Sequence, residues 1–218
     1  MRTPSDCISC TPGYYCSGSS SPAPTGQCSA GSYCTGGSTT PTQYPATPGY
    51  YTILGSSQQI KCTAGTYSNS NSATACLPCG SGTYCNAYGM TAGLPCLAGN
   101  YCPSGAINPS PCSLGTFNPT AATTTAGACG ACTGGKYCGL TGLTVESGSC
   151  AAGYFCYSGS SSATPIANLT SLGTTYLVTT SGLCPQGYYC PAGTQIPIAC
   201  GIGYYLNYEG ASQLSQCI

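Results

Sequence analysis

The stretch Cys10-Thr11-Pro12-Gly13-Tyr14-Tyr15-Cys16 is the pattern around which the whole chain is built. Its reduced form is a cysteine, two residues, a glycine, one residue, an aromatic residue and then a second cysteine or a substitute. Eleven copies of this seven-residue motif can be read directly, and most begin 16 to 20 residues after the previous one. A fixed period of this length predicts an array of small units, each of which packs mainly on its neighbours.

The copies also define the divisions of the chain. The interval of 34 residues between Cys150 and Cys184 is twice the usual one, and a degraded copy of the motif lies within it, at residues 170–176. We therefore count about twelve repeats of ~17 residues. We expect the end of a preceding repeat at residues 1–9, cysteine-rich repeats at 10–156, a degenerate repeat or insert at 157–183 and further cysteine-rich repeats at 184–218. The first positions of the eleven direct copies are Cys10, Cys28, Ala46, Cys62, Cys79, Cys96, Cys112, Cys132, Cys150, Cys184 and Cys200.

The fixed positions of the motif indicate short strands and turns. Glycine at the fourth position favours a tight turn with a positive φ. The sixth position accepts Phe117 and Phe155 as well as tyrosine, so its role is packing, and we expect these rings to stack repeat on repeat. The spacers are rich in Ser, Thr, Pro and Gly and lack a helical period, and residues 174–180 are the best strand candidate. The predicted fold class is small and disulfide-rich, with short β-hairpins and turns in a linear array and little or no helix.

The composition excludes several classes of function. Charged residues make up 3% of the chain, and there is no histidine or tryptophan. The chain therefore has no basic surface for nucleic acid or for an anionic membrane. A soluble surface normally carries about 25 to 35% charged side chains. Dense glycosylation, or burial against neighbouring subunits, must replace that charge here.

The cysteine content indicates the compartment. Twenty-one cysteines in 218 residues would be a large load of free thiols in a reducing cytosol, and they predict a disulfide framework in an extracellular protein. Residues 1–6 have no apolar core that could form a signal peptide, and no stretch approaches a transmembrane helix. We infer that an export signal was removed or that the sequence is a piece of a longer protein.

Two schemes of disulfide pairing are compatible with the spacing. In the first, each repeat closes on itself and only Cys7 is left, as the closing cysteine of an earlier repeat. In the second, every pair is shifted by one, so that Cys16 bonds Cys28 and Cys217 is left. We favour the first scheme, because the copy at residues 46–52 has lost both of its cysteines together, to Ala46 and Thr52. Its pairs are Cys10–Cys16, Cys28–Cys34, Cys62–Cys76, Cys79–Cys85, Cys96–Cys102, Cys112–Cys129, Cys132–Cys138, Cys150–Cys156, Cys184–Cys190 and Cys200–Cys217.

One repeat type is suggested by resemblance. The residues Cys62-Thr63-Ala64-Gly65-Thr66-Tyr67-Ser68, followed by Cys76-Leu77-Pro78-Cys79, resemble the ephrin-receptor-like cysteine-rich repeat, which is itself similar to the smallest disulfide module of tumour-necrosis-factor-receptor ectodomains. The resemblance implies a bond between Cys62 and Cys76. Long arrays of such repeats occur in protist and algal surface proteins, including those of flagellar hairs (mastigonemes). The resemblance therefore implies an extracellular scaffold at a cell or flagellar surface and no catalytic activity.

Chemical sites are weakly supported by the sequence. The Cys-x-x-Cys steps at Cys76/Cys79 and Cys129/Cys132 lie about fifty residues apart, too far for a shared zinc site, and no thioredoxin-like context surrounds them. No histidine and only three carboxylates are present, so we expect no enzyme, no cofactor and no metal. Tyrosine pairs such as Tyr14/Tyr15 could bind a glycan or a protein, but one inward and one outward ring explains them better.

Glycosylation is the modification that the sequence favours. Asn168-Leu169-Thr170 is the only standard acceptor sequence for an N-linked glycan, and Ser/Thr/Pro spacers resemble O-glycosylated stalks. We expect a structural subunit of an extracellular filament or cell-surface coat, of flagellar-hair type, that contacts neighbouring subunits of its own kind and carries covalent glycans. The alternative is a receptor or adhesin ectodomain that binds a protein or a glycan at the break, residues 157–183.

Overall fold

The computed structural model describes residues 8–19, 22–166 and 181–218. In these ranges the regular structure consists of two-residue strands that pair consecutively as ten antiparallel hairpins, with two 3₁₀ turns and no α-helix. This confirms the predicted fold class of small hairpins in a disulfide-rich array of repeats. The strands are β1 (Tyr14–Tyr15), β2 (Gly26–Gln27), β3 (Ser32–Tyr33), β4 (Tyr44–Pro45), β5 (Tyr50–Tyr51), β6 (Ile60–Lys61), β7 (Thr66–Tyr67), β8 (Leu77–Pro78), β9 (Thr83–Tyr84), β10 (Leu94–Pro95), β11 (Asn100–Tyr101), β12 (Ser110–Pro111), β13 (Thr116–Phe117), β14 (Gly130–Ala131), β15 (Lys136–Tyr137), β16 (Gly148–Ser149), β17 (Tyr154–Phe155), β18 (Gly182–Leu183), β19 (Tyr188–Tyr189) and β20 (Ile198–Ala199). The 3₁₀ turns lie at Ala126–Ala128 and Leu214–Gln216.

The chain forms two compact units. One contains Met1–Pro95 and Cys102–Asn108, and the other contains Cys96–Tyr101 and Pro109–Ile218. Each unit is built in the same way from consecutive repeats.

Each hairpin spans one repeat, from its motif to the residues just before the next motif. In the first repeat, Gly13 has φ +88°, and Tyr14 N–H donates to Thr11 C=O (3.0 Å) to close the turn that leads into β1. Tyr15 then pairs with Gly26 in β2, two residues before Cys28. Four of the returning strands end in proline, which has no N–H to extend a ladder, and this helps to limit them to two residues.

Disulfides fill the interior. The described cysteines all take part in disulfides. The Cα atoms of the pairs lie 5.6 to 6.0 Å apart, the usual separation for this bond. Nine bonded pairs are pairs of the in-repeat scheme. Cys96 and Cys102 are both disulfide-bonded as well. The other pairs are Cys10–Cys16, Cys28–Cys34, Cys62–Cys76, Cys79–Cys85, Cys112–Cys129, Cys132–Cys138, Cys150–Cys156, Cys184–Cys190 and Cys200–Cys217.

The seventh position of the motif remains buried when it is not a cysteine. Ser68, Asn118 and Leu206 are buried, and in these repeats a later cysteine closes the disulfide. In the repeat without a disulfide, Ala46 and Thr52 are both fully buried. The position is therefore an interior one, whether or not a disulfide passes through it.

The ring-to-ring pairs among the described residues lie within single repeats. The Tyr33 and Tyr44 rings are stacked, with centroids 5.4 Å apart, but they face each other across the β3–β4 hairpin of a single repeat. The Tyr15 ring lies close to Gly26, its own cross-strand partner. One motif aromatic does pack on the next repeat, since Phe155 forms a buried cluster with Cys184 and Cys190, against which Tyr188 also packs. The expectation that the aromatic position joins repeat to repeat is therefore confirmed at Phe155, where the ring packs on the cystine of the following repeat.

The long interval after Cys150 is spanned by one hairpin. Gly153 N–H donates to Cys190 C=O (2.8 Å), and Cys184 N–H donates to Gly153 C=O (2.8 Å). The strands β17 and β18 close this hairpin, so the motif at Cys150 is bonded directly to the motif at Cys184. The degraded copy at 170–176 and the strand expected at 174–180 lie outside the described residues.

Candidate functional site

The contact between successive repeats is the most regular site in the structure, and the motif glycine is at its centre. In the first unit, Gly13 N–H donates to Cys34 C=O (2.8 Å), and Cys28 N–H donates to Gly13 C=O (3.0 Å). In the second unit, Gly135 N–H donates to Cys156 C=O and Cys150 N–H donates to Gly135 C=O, both at 2.8 Å. Both bonds recur at Gly31, Gly49, Gly65, Gly99, Gly115, Gly153 and Gly187. Each of these nine motif glycines is therefore hydrogen-bonded twice to the following repeat.

A second set of positions with positive φ completes this contact, and the sequence interpretation missed it. Gly55 N–H donates to Cys28 C=O in the repeat before it (2.9 Å). Its carbonyl oxygen lies 2.5 Å from the place where a Cβ on Gly13 would be, two repeats before it. One residue of this set thus touches two earlier repeats. The set consists of Gly37, Gly55, Ser72, Gly89, Gly105, Ala122, Gly142, Gly159, Gly193 and Gly210.

The spacing explains why these positions were hidden. They follow the first position of their motif by nine residues in some repeats, as from Cys28 to Gly37, and by ten in others, as from Cys79 to Gly89. Two of them are not glycine, since Ser72 has φ +56° and Ala122 has φ +58°. An alignment of the repeats that allowed a one-residue gap in the spacer would have shown a glycine-rich position here.

The cysteine steps offer no free thiol for metal or redox chemistry. Cys76 bonds Cys62, while Cys79 bonds Cys85, so the two members of this Cys-x-x-Cys step belong to different disulfides. Cys7 lies outside the described residues. Within the described ranges, no group of three or more His, Cys, Asp or Glu side chains could hold a metal ion.

The carboxylate of Glu146 acts as a clamp on its own hairpin. Its Oε1 atom accepts hydrogen bonds from Thr133 N–H (2.7 Å) and Thr133 Oγ1 (2.6 Å), and its Oε2 atom lies 2.6 Å from Lys136 Nζ. The hydrogen bond from Lys136, followed by those from Thr133, lowers the pKa of Glu146 from its usual 4.5 to about 2. A group with that pKa is a poor proton donor or acceptor at neutral pH. The role of Glu146 is therefore structural.

A neutral side chain makes the same clamp elsewhere, which supports this interpretation. Gln59 Oε1 accepts from both the N–H and the Oγ1 atom of Thr47, each at 3.0 Å. Both hairpins have a side-chain oxygen that accepts hydrogen bonds from the threonine at the second position of the motif. The negative charge of Glu146 adds the ion pair with Lys136 to these hydrogen bonds.

The break after Cys156 contains an open depression of about 260 Å³. It is lined by Tyr157, Ser158, Gly159, Ser160, Ser161, Pro165 and Ser181. Three of its hydroxyl groups bond within the protein: Ser158 Oγ donates to Cys132 C=O (3.0 Å), Ser160 Oγ donates to Ser162 C=O (3.1 Å) and Ser181 Oγ accepts from Tyr157 N–H (2.9 Å). Ligand pockets usually measure 300 Å³ or more and carry several polar groups aimed at the ligand. The described part of the break lacks these features of a binding site.

The positions where the sequence predicts glycans are only partly within the described residues. Asn168 lies outside the described residues. Thr120, Thr124 and Thr125 are exposed, so this spacer offers accessible hydroxyl groups. Asn118 is buried, and its Nδ2 atom donates to Asn100 C=O (3.0 Å) and Thr123 Oγ1 (2.9 Å).

The class of protein follows from the disulfides. Twenty bonded cysteines in one chain are typical of secreted or extracellular proteins. In the described ranges no helix has the length and apolar character needed to cross a bilayer. Comparison of the sequence with models of known protein families finds no match, and comparison with characterised proteins finds no significant similarity.

Proposed function

We propose that this chain is a structural subunit of an extracellular filament or cell-surface coat, stapled by disulfides and covered by glycans, in the manner of a flagellar hair. The observation that carries the proposal is the use of the motif. Its glycine binds the next repeat through both main-chain groups, and most of its cysteines are buried in the interior. The recurring glycine of the motif therefore joins each repeat to the next, and its recurring cysteines fill the interior.

The paucity of charge supports the same proposal. Lys136 and Glu146 form the one ion pair among the described residues. Such a surface suits a protein that is covered by sugar or by copies of itself more than one that remains in free solution. The repeats resemble ephrin-receptor-like modules in their cysteine and glycine spacing, and the proposal assigns them to that type.

Electron microscopy of the native material tests the proposal. Filaments or an ordered coat are the expected result. Discrete particles of uniform size would contradict it and would favour a receptor or adhesin ectodomain.

The glycan coat has a separate test. We expect enzymatic removal of N-linked and O-linked sugars to lower the mass of the native protein and to reduce its solubility. A mass that this treatment leaves unchanged would remove the glycans from the proposal and leave the structural role.

A further inference from the structure

Two tyrosine rings lie in contact at the surface of the repeat that begins at Cys28. Tyr33, in β3, and Tyr44, in β4, are directly opposite each other in the register of the hairpin. Their ring centroids are 5.4 Å apart, and the ring planes are inclined by 26°. Tyr44 is 38% exposed, and Tyr33 is half-buried beside it. Because cross-strand partners lie on the same face of a hairpin, the ladder itself holds the two phenols face to face where solvent reaches them.

The spacer before Tyr44 fixes its ring as well. Gln43 Oε1 accepts a hydrogen bond from Thr39 N–H (2.7 Å), and Gln43 Nε2 donates to the hydroxyl oxygen of Tyr44 (3.3 Å). The side-chain amide therefore ties the Tyr44 hydroxyl group to the spacer, and the ring has a fixed position opposite Tyr33.

This pair differs from the other ring contact in the described part of the chain. Phe155 and Tyr157 meet edge to face, and only one of these two rings carries a hydroxyl group. In the other described hairpins, the cross-strand partner of the motif aromatic has no phenol ring, as at Ile60. Among these hairpins, Tyr33 is therefore the motif aromatic that has a tyrosine as its partner.

The composition makes tyrosine the side chain that an oxidant attacks. The chain has 19 tyrosines and neither tryptophan nor histidine. The described cysteines are all in disulfides and offer no thiol. One-electron oxidants take a hydrogen atom from a phenol far more readily than from the Ser, Thr, Gly and Pro of the spacers. The disulfides also indicate that the chain is made for an oxidising compartment.

The disulfide of this repeat does not join the two arms of its hairpin. The bond between Cys28 and Cys34 ends at the start of the spacer. In the repeat that begins at Cys62, by contrast, the disulfide reaches Cys76, next to the returning strand β8. A bond between the two tyrosines would overlap the Cys28–Cys34 loop. Together the two bonds would close the repeat from its first cysteine to its returning strand.

We propose that Tyr33 and Tyr44 are joined in the secreted protein by oxidative coupling of their rings, with hydrogen peroxide and a haem peroxidase as the oxidising system. The product is a dityrosine bond across the β3–β4 hairpin. It is a modification site that the proposed structural role does not require, because it forms within one chain.

The coupling is balanced by one molecule of peroxide. Each phenol loses the hydrogen atom of its hydroxyl group and becomes a phenoxyl radical, and the two radicals combine at one ring carbon next to each oxygen. The hydrogen atoms on these two carbons then move to the oxygens, which restores both phenols. The pair loses two hydrogen atoms in all, and the peroxide takes them up and becomes two molecules of water.

Oxidation of the intact, disulfide-bonded chain by hydrogen peroxide and a haem peroxidase tests the geometry. We expect the blue fluorescence of dityrosine, a monomer lighter by two hydrogen atoms, and a peptide map in which Tyr33 is linked to Tyr44. The yield per chain should not change on dilution, because both rings belong to one molecule. Products that form only between copies, or a yield that falls on dilution, would overturn the inference.

A pair of variants separates this site from the other tyrosines. Tyr44→Phe keeps the ring and its stacking but removes the hydroxyl group that the radical needs, so it should fold and lose the cross-linked monomer. Tyr88→Phe is the matched control, since Tyr88 is 68% exposed and forms no ring pair within the described ranges. It should cross-link as the unchanged chain does. Equal yields from the two variants would show that the coupling lies elsewhere.

The native protein provides the last measurement. Its peptides should contain the link between Tyr33 and Tyr44 before any oxidant is added. Native protein without the link would overturn the inference even if oxidation forms the bond in vitro, and the proposed function would stand. Discrete native particles that carry the link would have the opposite meaning, since they would remove the filament and leave the cross-link.

Discussion

The carbonyl oxygen of Gly210 lies 2.6 Å from the position that a Cβ on Gly153 would occupy, although a whole repeat lies between the repeats of these two residues. Gly153 also has φ +83°, a conformation that favours glycine. Its N–H and C=O are bonded to the repeat between them, at Cys190 and Cys184. One glycine therefore sets the distance between three successive motifs.

We expect Gly153→Ala to destabilise the second unit. The positive φ costs about 1 kcal/mol for alanine, and overpacking against a main-chain carbonyl typically adds 1 to 3 kcal/mol. Thermal unfolding followed by circular dichroism should show a lower midpoint. Gly105→Ala is the control, because nothing lies within 4 Å of its Cβ, and its midpoint should fall much less. Equal shifts for the two variants would show that φ alone is responsible and that the close approach has no energetic role.

The pairing of cysteines is open to direct chemical test. We expect non-reducing peptide mapping to recover Cys10 linked to Cys16 and Cys28 linked to Cys34, since the two cysteines of each pair are bonded to each other within one repeat. Cleavage after tyrosine suits this chain, because Tyr14 and Tyr15 lie between Cys10 and Cys16 and basic residues are few. Recovery of Cys16 linked to Cys28 would contradict the structure and would favour the shifted scheme.

We expect the repeat that lacks a disulfide to accept an engineered one. Thr52 Oγ1 is buried without a hydrogen-bond partner, and Ala46 and Thr52 are both fully buried at positions that are cysteines in most other repeats. Ala46→Cys with Thr52→Cys should form a disulfide and stabilise the first unit by about 2 kcal/mol, the value for a short loop. Thiol titration should find no free cysteine added, and the unfolding midpoint should rise.

Thr52→Val serves as the control for that change. It removes the unpartnered hydroxyl group without adding a bond, and an unpaired buried polar group costs about 1 to 3 kcal/mol. It should stabilise the unit on its own, and reduction should abolish only the further gain of the double variant. Two free thiols in the folded double variant would show that positions 46 and 52 are not held at disulfide distance.

The sequence predicted those parts of the fold that depend on a single repeat. The turn at Gly13 needs a positive φ, and the cysteine spacing admits few pairings, so both could be inferred from the motif alone. The contact of Gly55 with Gly13 could not, because it joins repeats two apart and its offset within the spacer varies by one residue. The pairing of Tyr33 with Tyr44 could not be inferred for a related reason, since Tyr44 stands at a position whose residue type changes from repeat to repeat.

The clamp at Glu146 predicts a dependence of stability on pH. Because its pKa in the folded chain, about 2, is below the usual 4.5, its contribution is complete above about pH 4.5 and is lost as the pH falls towards 2. The contribution of a surface ion pair is about 0.2 to 1 kcal/mol, and Lys136 is half-exposed, so we expect a small fall in the unfolding midpoint. Glu146→Gln should lose this dependence and keep most of the stability at neutral pH, since Gln59 already clamps Thr47 in the same way. Midpoints measured from pH 7 to pH 2 for both proteins provide the comparison. Parallel curves would show that protonation of Glu146 does not weaken the hairpin.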